Sequence, residues 1–245
     1  MSDLASGICA LAREAGAAIM AIYATDFTPR AKPDSSPVTE ADETAERIIL
    51  AGLARLTPEI RVVAEESVAA GYAPTHLGER FWLVDPLDGT REFLARNGEF
   101  TVNIALIERG APTLGVVFAP AIDTLYWTDG RSAFLGEAPI RVRPPGKDGP
   151  VVLASRSHRT PETDAYLKTL RIDRLVEAGS SLKFGVIATG EADLYPRHGP
   201  TMEWDTAAGD AVLRAAGGSV TTLDRRPLAY GKPGFRNPSF IARGG

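Results

Sequence analysis

The stretch VDPLDGTREF, residues 84–93, sets Asp85 and Asp88 three positions apart, directly behind the apolar run Phe81-Trp82-Leu83-Val84. Carboxylates at the end of a buried strand can hold a hard cation such as Mg²⁺, which takes oxygen ligands and keeps part of its shell for water and substrate phosphate. An Asp-x-x-Asp turn can bridge two such ions, with Asp85 reaching both, the Leu87 carbonyl serving one and Asp88 the other. Two neighbouring ions can hold the attacking and leaving oxygens of a phosphoryl displacement and acidify a bound water. Gly89 lets backbone N–H groups come close to a phosphate, and the Thr90 hydroxyl can orient the attacking water.

Three further places set acids at the ends of expected elements: Asp42 in the first turn of a helix, Glu65-Glu66 behind an apolar run, and Asp205 at the start of a late helix. Each has an ordinary explanation. Asp42 can complete a capping box with Thr39, Glu65 and Glu66 can be solvated strand-end charges, Asp85 and Asp88 can form Asx turns, and Asp205 can be an N-cap. Together they supply what two cations need, a small group of carboxylates drawn from several elements.

The elements that must position them follow from periodicity. Leu4, Ile8, Leu11, Ala15, Ile19 and Ile22 recur at helical spacing, so the chain opens with an amphipathic helix that stops before Pro29. PDSSP, residues 33–37, reads as a loop, and Ala45, Ile48, Ile49, Leu53 and Leu56 mark a second helix begun at Thr39. Short apolar runs at 60–64, 81–84, 100–107, 114–118 and 124–127 predict strands, with a hairpin turn at 108–112. The second half predicts strands at 151–154, 175–177 and 192–195 and helices near 161–170, 181–189 and 205–216, the last closed by Gly217-Gly218. Helices, then strands, then alternation point to layered α and β structure rather than a simple doubly wound sheet. The segment RPPGKDGP, residues 143–150, is the expected boundary between an N-terminal α+β lobe of about 1–142 and a C-terminal α/β lobe of about 150–245.

SPVTEAD (36–42), AEES (64–67), VDPLDGTREF (84–93) and EWDTAAGDAVLRAAGG (203–218) together resemble the lithium-sensitive, Mg²⁺-dependent phosphatase superfamily that includes inositol monophosphatase, in the same order and over nearly the whole chain. The resemblance implies a single domain over 1–245 with an αβαβα sandwich of the α/β (α+β) class. It implies Glu65, Asp85 and the Leu87 carbonyl as ligands of one Mg²⁺, and Asp85, Asp88 and Asp205 as ligands of a second. Asp42 and Thr90 would hold the nucleophilic water, with a third, weaker Mg²⁺ near Asp42. Inhibition by Li⁺ is implied by the resemblance alone.

Within that superfamily, residues 91–107, 155–158 and 179–209 are more similar to the CysQ-type 3′(2′),5′-bisphosphate nucleotidases than to inositol monophosphatases. The substrate this implies is adenosine 3′,5′-bisphosphate, a by-product of sulfate activation, whose 3′-phosphate is removed to leave AMP. A second phosphate away from the metals needs its own donors, and Arg156, Lys183, Arg197 and the Ser180-Ser181 helix start are available. Against this, Ser180 or Ser181 can be plain caps, Lys183 a solvated helix charge and Tyr195 edge packing, and Trp82, Trp127 and Trp204 read as core. Glu203 stands where relatives carry an acid facing the ribose or another polyol. Ser155 or Ser157 with His158 or His198 could suggest a serine nucleophile, but no Gly-x-Ser-x-Gly elbow is present.

Other classes fare less well. With 27 Lys plus Arg against 31 Asp plus Glu the net charge is −4, which gives no general attraction to nucleic acid or anionic membrane. An aspartyl-phosphate mechanism needs Asp-x-Asp, not the spacing found here. Inositol or fructose phosphate remains an alternative ester, and a metal-dependent nucleotide-binding regulator is the non-enzymatic alternative. Cys9, the single cysteine, rules out an intramolecular disulfide and makes a cytoplasmic setting the default. No signal peptide or transmembrane segment is expected; weak peripheral contact with the inner membrane and a homodimer are left open.

Overall fold

Apolar side chains at three- and four-residue spacing press the first two helices against one sheet, and the alternation of that sheet's strands leaves a second apolar face for a further layer. The computed structural model describes residues 3–28, 30–31 and 37–245. The loop expected at 33–37 therefore lies, apart from Pro37, outside the described residues.

Helix α1 (Asp3–Tyr23) buries Ala5, Ile8, Leu11, Ala15 and Ile19, and Gly52 of the second helix lets Leu11 approach closely. By length and composition α1 could cross a membrane, with a mean hydropathy of 1.4, but its apolar stripe is spent on the core. The short strands β1 (Arg30–Ala31) and β2 (Pro37–Val38) pair antiparallel. Helix α2 (Glu40–Leu56) starts at the expected capping box: the Thr39 side chain accepts from the Ala41 N–H at 3.1 Å, and Asp42 Oδ2 accepts from the Thr39 N–H at 2.8 Å.

Seven strands follow in the first half: β3 (Arg61–Ala64), β4 (Arg80–Asp88), β5 (Thr101–Glu108), β6 (Ala111–Ala119), β7 (Thr124–Thr128), β8 (Ala133–Leu135) and β9 (Ala138–Ile140). They form one sheet in sequence order, parallel only between β3 and β4. Two short helices that periodicity did not reveal, α3 (Glu65–Ala69) and α4 (Thr90–Leu94), leave the ends of β3 and β4. The second half adds β10 (Val151–Ser155), α5 (Pro161–Leu167), β11 (Arg174–Ala178), α6 (Leu182–Ala188), β12 (Leu194–Arg197), α7 (Ala207–Ala215), β13 (Ser219–Thr222) and β14 (Phe240–Arg243). Its five-stranded sheet runs β11-β10-β12-β14-β13.

Packing gives the layers. Trp82, Val84, Ile104 and Val116 face α1 and α2. Phe81, Leu83, Ile107 and Val117 face the other way, into a cluster with Leu182 and Phe184 of α6, Ala208 and Val212 of α7, and Leu153, Tyr195 and Phe240 of the second sheet. Val152, Leu194 and Ile241 turn outward to Leu167 of α5. The order is α1/α2, sheet, α6/α7, sheet, α5, the expected αβαβα sandwich. Closeness between layers is enforced at Gly115, where a Cβ would lie 2.6 Å from the Ala208 carbonyl oxygen. Trp82 is fully buried, and its indole N–H finds the Thr57 hydroxyl at 2.9 Å, so the largest apolar side chain in the first layer costs no unpaired donor.

Candidate active site

Asp85 and Asp88 do not sit in a turn beyond their strand, as expected; β4 continues through them. Asp85 pairs with Asn103 and Asp88 with Thr101, so three steps on β4 match two on β5, and this bulge lets the carboxylates leave the ladder. Asp85 Oδ1 accepts from the Leu87 N–H at 3.0 Å, which fixes the bulge from within. Gly89 follows at φ +92°, a left-handed conformation that a side chain would strain, and its missing Cβ would sit 3.1 Å from the Glu99 carbonyl and 3.3 Å from Ser180 Cβ. The chain can therefore turn into α4 tightly beneath the other half of the molecule.

Glu65, Asp85, Asp88, Gly89, Thr90, Ser180, Ser181, Lys183, Arg197 and Asp205, ten of the fourteen residues expected at the site, line one cavity of about 250 Å³ between the two sheets' ends. Asp42 is buried one step behind: its Oδ1 accepts from the Thr90 hydroxyl at 3.3 Å, and Thr90 also reaches the Leu87 carbonyl at 3.4 Å. Asp42 thus orients Thr90 from behind the cavity wall. Asp205 lies in the turn before α7 rather than in its first turn; Thr206 is the N-cap, and Asp205 Oδ2 accepts from the Met202 N–H at 2.8 Å.

Two expectations are corrected. Arg156 does not line the cavity: its guanidinium grips Glu99 in a fork, with Nε to Oε2 at 3.0 Å and Nη2 to Oε1 at 2.9 Å. Glu203 does not line the cavity either. It is fully buried and accepts from the Gly231 and Lys232 N–H groups at 2.7 and 2.9 Å, with the Lys232 ammonium 2.6 Å away. Both charges found partners from distant segments that spacing does not reveal.

The cavity also holds residues that sequence reasoning passed over, Arg91, Glu92, Thr201 and Met202, together with His158, weighed there only as a partner of a serine nucleophile, and Trp204, which was expected in the core alone. Another lies just behind. Glu46 accepts from the Glu66 and Ser67 N–H groups at 2.8 Å each, anchoring the turn that presents Glu65. Its signal was visible, since a glutamate on the α2 face shared by Asp42, Ile49 and Leu53 must be buried. Burial raises its carboxyl above the usual range, although Ser67 and the two amides oppose this. Ser157 donates to Glu92 at 2.5 Å and the Ser155 hydroxyl accepts from the His158 backbone N–H at 3.2 Å, so both serines have structural employment.

Electrostatics divide the cavity. Burial pushes Asp88 up to about 6, with Glu92 and Glu65 adding to the rise, even though Lys183 and the Ser181 N–H favour its charge. Asp205 is held well above the ordinary carboxylate range by burial, then by Asp88 and Glu65. Conversely, burial lowers Lys183 to about 8, with Asp88 resisting and Arg197 assisting; its ammonium is held by the Ala178 carbonyl at 3.1 Å and stands over the Tyr195 ring at 5.1 Å. The buried Arg197 guanidinium reaches the Pro200 carbonyl at 2.9 Å and leaves its Nε without a partner. Tyr195 packs edge-on against Phe184 and Phe240 from an interior strand and also lines the cavity.

Among the described residues no three acids, histidines or cysteines are drawn close enough to clasp an ion as they stand. The donor set nevertheless fits Mg²⁺. It is all oxygen, and burial first, with neighbouring acids adding to it, raises Asp88 and Asp205, a cost that a bound cation would offset.

The bulged acidic strand end, the layered sandwich and the matching motifs define a class: residues 1–242 match the family model of the Inositol monophosphatase family, and the chain belongs to that family. The 3′(2′),5′-bisphosphate nucleotidase CysQ of Salmonella typhimurium is 48% identical over 95% of this chain and 96% of its own length, and its namesake from Escherichia coli strain K12 is 47% identical over the same shares. The crystal structure of CysQ from Bacteroides thetaiotaomicron, a bacterial member of the inositol monophosphatase family, is similar at a TM-score of 0.81 and 37% identity, covering 99% of this chain and 98% of its own. The resemblance read from the motifs and the fold class is borne out.

Proposed function

We propose that this protein is a Mg²⁺-dependent phosphomonoesterase that hydrolyses the 3′-phosphate of adenosine 3′,5′-bisphosphate to give AMP and phosphate, which would place it beside sulfate assimilation. The observation that carries the reading is that one cavity is lined both by acids (Glu65, Asp85, Asp88, Asp205) and by cations (Lys183, Arg197), which suits a substrate with one phosphate at the metals and another away from them. The names of the most similar curated relatives agree with it.

Glu65, Asp85 and the Leu87 carbonyl would hold one ion, and Asp85, Asp88 and Asp205 a second. When bound, the ions supply Lewis acidity at the phosphate oxygens and a more acidic water. The Thr90 hydroxyl, whose one proton goes to Asp42 or to the Leu87 carbonyl, keeps its lone pairs for accepting a proton of that water and so aims the oxygen. Lys183, protonated at neutral pH, and the Arg197 guanidinium, both on the cavity lining, would offer donors to the remote phosphate. The two halves of the chain would work as one domain around the cavity.

The test is phosphate release from adenosine 3′,5′-bisphosphate, inositol 1-phosphate and fructose 1,6-bisphosphate, each with Mg²⁺ and with EDTA. A tenfold or greater advantage in kcat/KM for the nucleotide, about 1.4 kcal/mol of selective transition-state binding, is expected. A winning inositol or sugar phosphate would keep the metal chemistry and remove the nucleotide assignment.

A further inference from the structure

Arg156 was expected to touch substrate and instead holds Glu99, and Glu99 occupies an unusual place. Its Oε2 accepts from the Gly179 N–H at 2.7 Å as well as from Arg156. Its backbone carbonyl lies 3.1 Å from the place a Cβ on Gly89 would take and 2.8 Å from the one on Gly179. One residue is therefore wedged between the turn that follows Asp88 and the turn that precedes α6, and both turns carry glycine where it presses.

The second turn is strained and is held by contacts from several elements, Glu99 among them. Ser180 stands at φ +44°, a left-handed conformation that costs a non-glycine residue on the order of 1 kcal/mol and persists only when neighbours impose it. The neighbours are Gly179 pinned to Glu99, Ser181 with its N–H on Asp88 Oδ2 at 2.5 Å and its hydroxyl on Asn103 at 2.7 Å, and Lys183 with its ammonium on the Ser180 carbonyl at 2.5 Å. Arg156 joins the arrangement through its own N–H to the Ala178 carbonyl at 3.3 Å and its Nη2 to the Glu177 carbonyl at 3.0 Å. The fork on Glu99 fixes the carboxylate so that only one direction remains for its contact with Gly179.

We propose that Glu99 is a positioning residue: clamped by Arg156, it holds the Gly179–Ser181 turn in the strained conformation that faces the cavity. Glu99 and Arg156 do not line the cavity; they act through Ser180, Ser181 and Lys183. The inference rests on the phosphatase reading only in taking that turn as substrate-facing.

A partly exposed ion pair contributes little to stability, with side chains 28% and 42% accessible, so kinetics rather than folding should register its loss. Full-length Glu99→Ala, Glu99→Gln and Arg156→Ala would be compared with wild type on whichever of the three phosphate esters the wild type prefers, alongside thermal melting. Glu99→Ala is expected to raise KM by about fivefold or more with a smaller change in kcat and a Tm shift of no more than about 2–4 °C. Glu99→Gln keeps an acceptor for the Gly179 N–H and should recover most of the KM, while Arg156→Ala, which frees the carboxylate without removing it, should show a smaller rise. Unchanged KM in Glu99→Ala, or a Gln variant no better than Ala, would overturn the assignment. Should the wild type prefer inositol phosphate, the nucleotide reading falls while the ratio of variant to wild type still decides the role of Glu99.

Discussion

The backbone N–H of Ser181, at the head of α6, donates to Asp88 Oδ2 at 2.5 Å, so a carboxylate from the end of β4 is oriented by the opposite half of the chain. The contact fixes one oxygen of Asp88 by a neutral donor and leaves its charge to be balanced by something else.

That balance is testable by removing the charge. Asp88→Asn retains an acceptor for the Ser181 N–H but relieves the repulsion among Asp88, Glu65 and Asp205. Without Mg²⁺ the variant is expected to melt higher than wild type, by about 2–4 °C for each kcal/mol relieved. Addition of Mg²⁺ should raise the wild-type Tm and do so less in the variant, which should also lose turnover. Differential scanning fluorimetry with and without Mg²⁺ would check it; an Mg²⁺ response identical in both proteins would contradict a metal role for Asp88.

The cations of the cavity predict selectivity. Replacing Lys183 with Gln should lower kcat/KM for adenosine 3′,5′-bisphosphate by about tenfold or more, since a hydrogen bond to a charged group contributes about 1.5–3 kcal/mol. Adenosine 3′-monophosphate, which lacks the remote phosphate, should lose less. Equal losses on both nucleotides would mean that Lys183 supports the turn through the Ser180 carbonyl and nothing more.

Acid should destabilise the protein through His158. Its imidazole is pushed down to about 4, by burial first and then by Arg197 and Arg91, with Glu92 resisting and Lys183 adding to the fall. A depressed folded-state value means that the unfolded chain binds the extra proton between about 6.5 and 4, so this contribution is complete above about pH 6.5 and is lost as pH falls through about 4. In urea titrations from pH 7 to pH 4 wild type should lose more stability than His158→Gln; parallel curves would refute the assignment.

Away from the cavity, Thr57→Val should cost about 1–3 kcal/mol by leaving the buried Trp82 N–H unpaired, with kcat and KM unaltered. Chemical denaturation together with the standard assay would show it.

The acids of the cavity were legible because each stands next to an apolar run, where a few adjacent residues decide both the element and its end. Asp85 with Asp88, and Glu65 behind β3, needed no knowledge of the rest of the chain. Arg156 and Glu203 were not legible, because their partners lie 57 and 28 or 29 residues away and spacing does not say which charge finds another before it finds the cavity. The layers could be anticipated from α1, α2 and the apolar strands, whereas β13 (Ser219–Thr222) escaped notice: SVTT buries only Val220 and shows too little alternation. The bulge at Asp85–Asp88 was hidden for a related reason, since register is a property of the pair β4 and β5 rather than of either strand.

The placing of β14 bears on how the molecule is made. This last strand fills an interior position of its sheet, between β12 and β13, so a nascent chain leaving the ribosome must keep that slot open until residues 240–243 emerge. Lys183, Arg197 and Asp205 belong to the half that waits for it. Hydrolytic competence should therefore arrive in one step once residues 240–243 have emerged, and a ribosome-stalled chain that stops before them should present a folded first sheet beside a phosphate site not yet assembled.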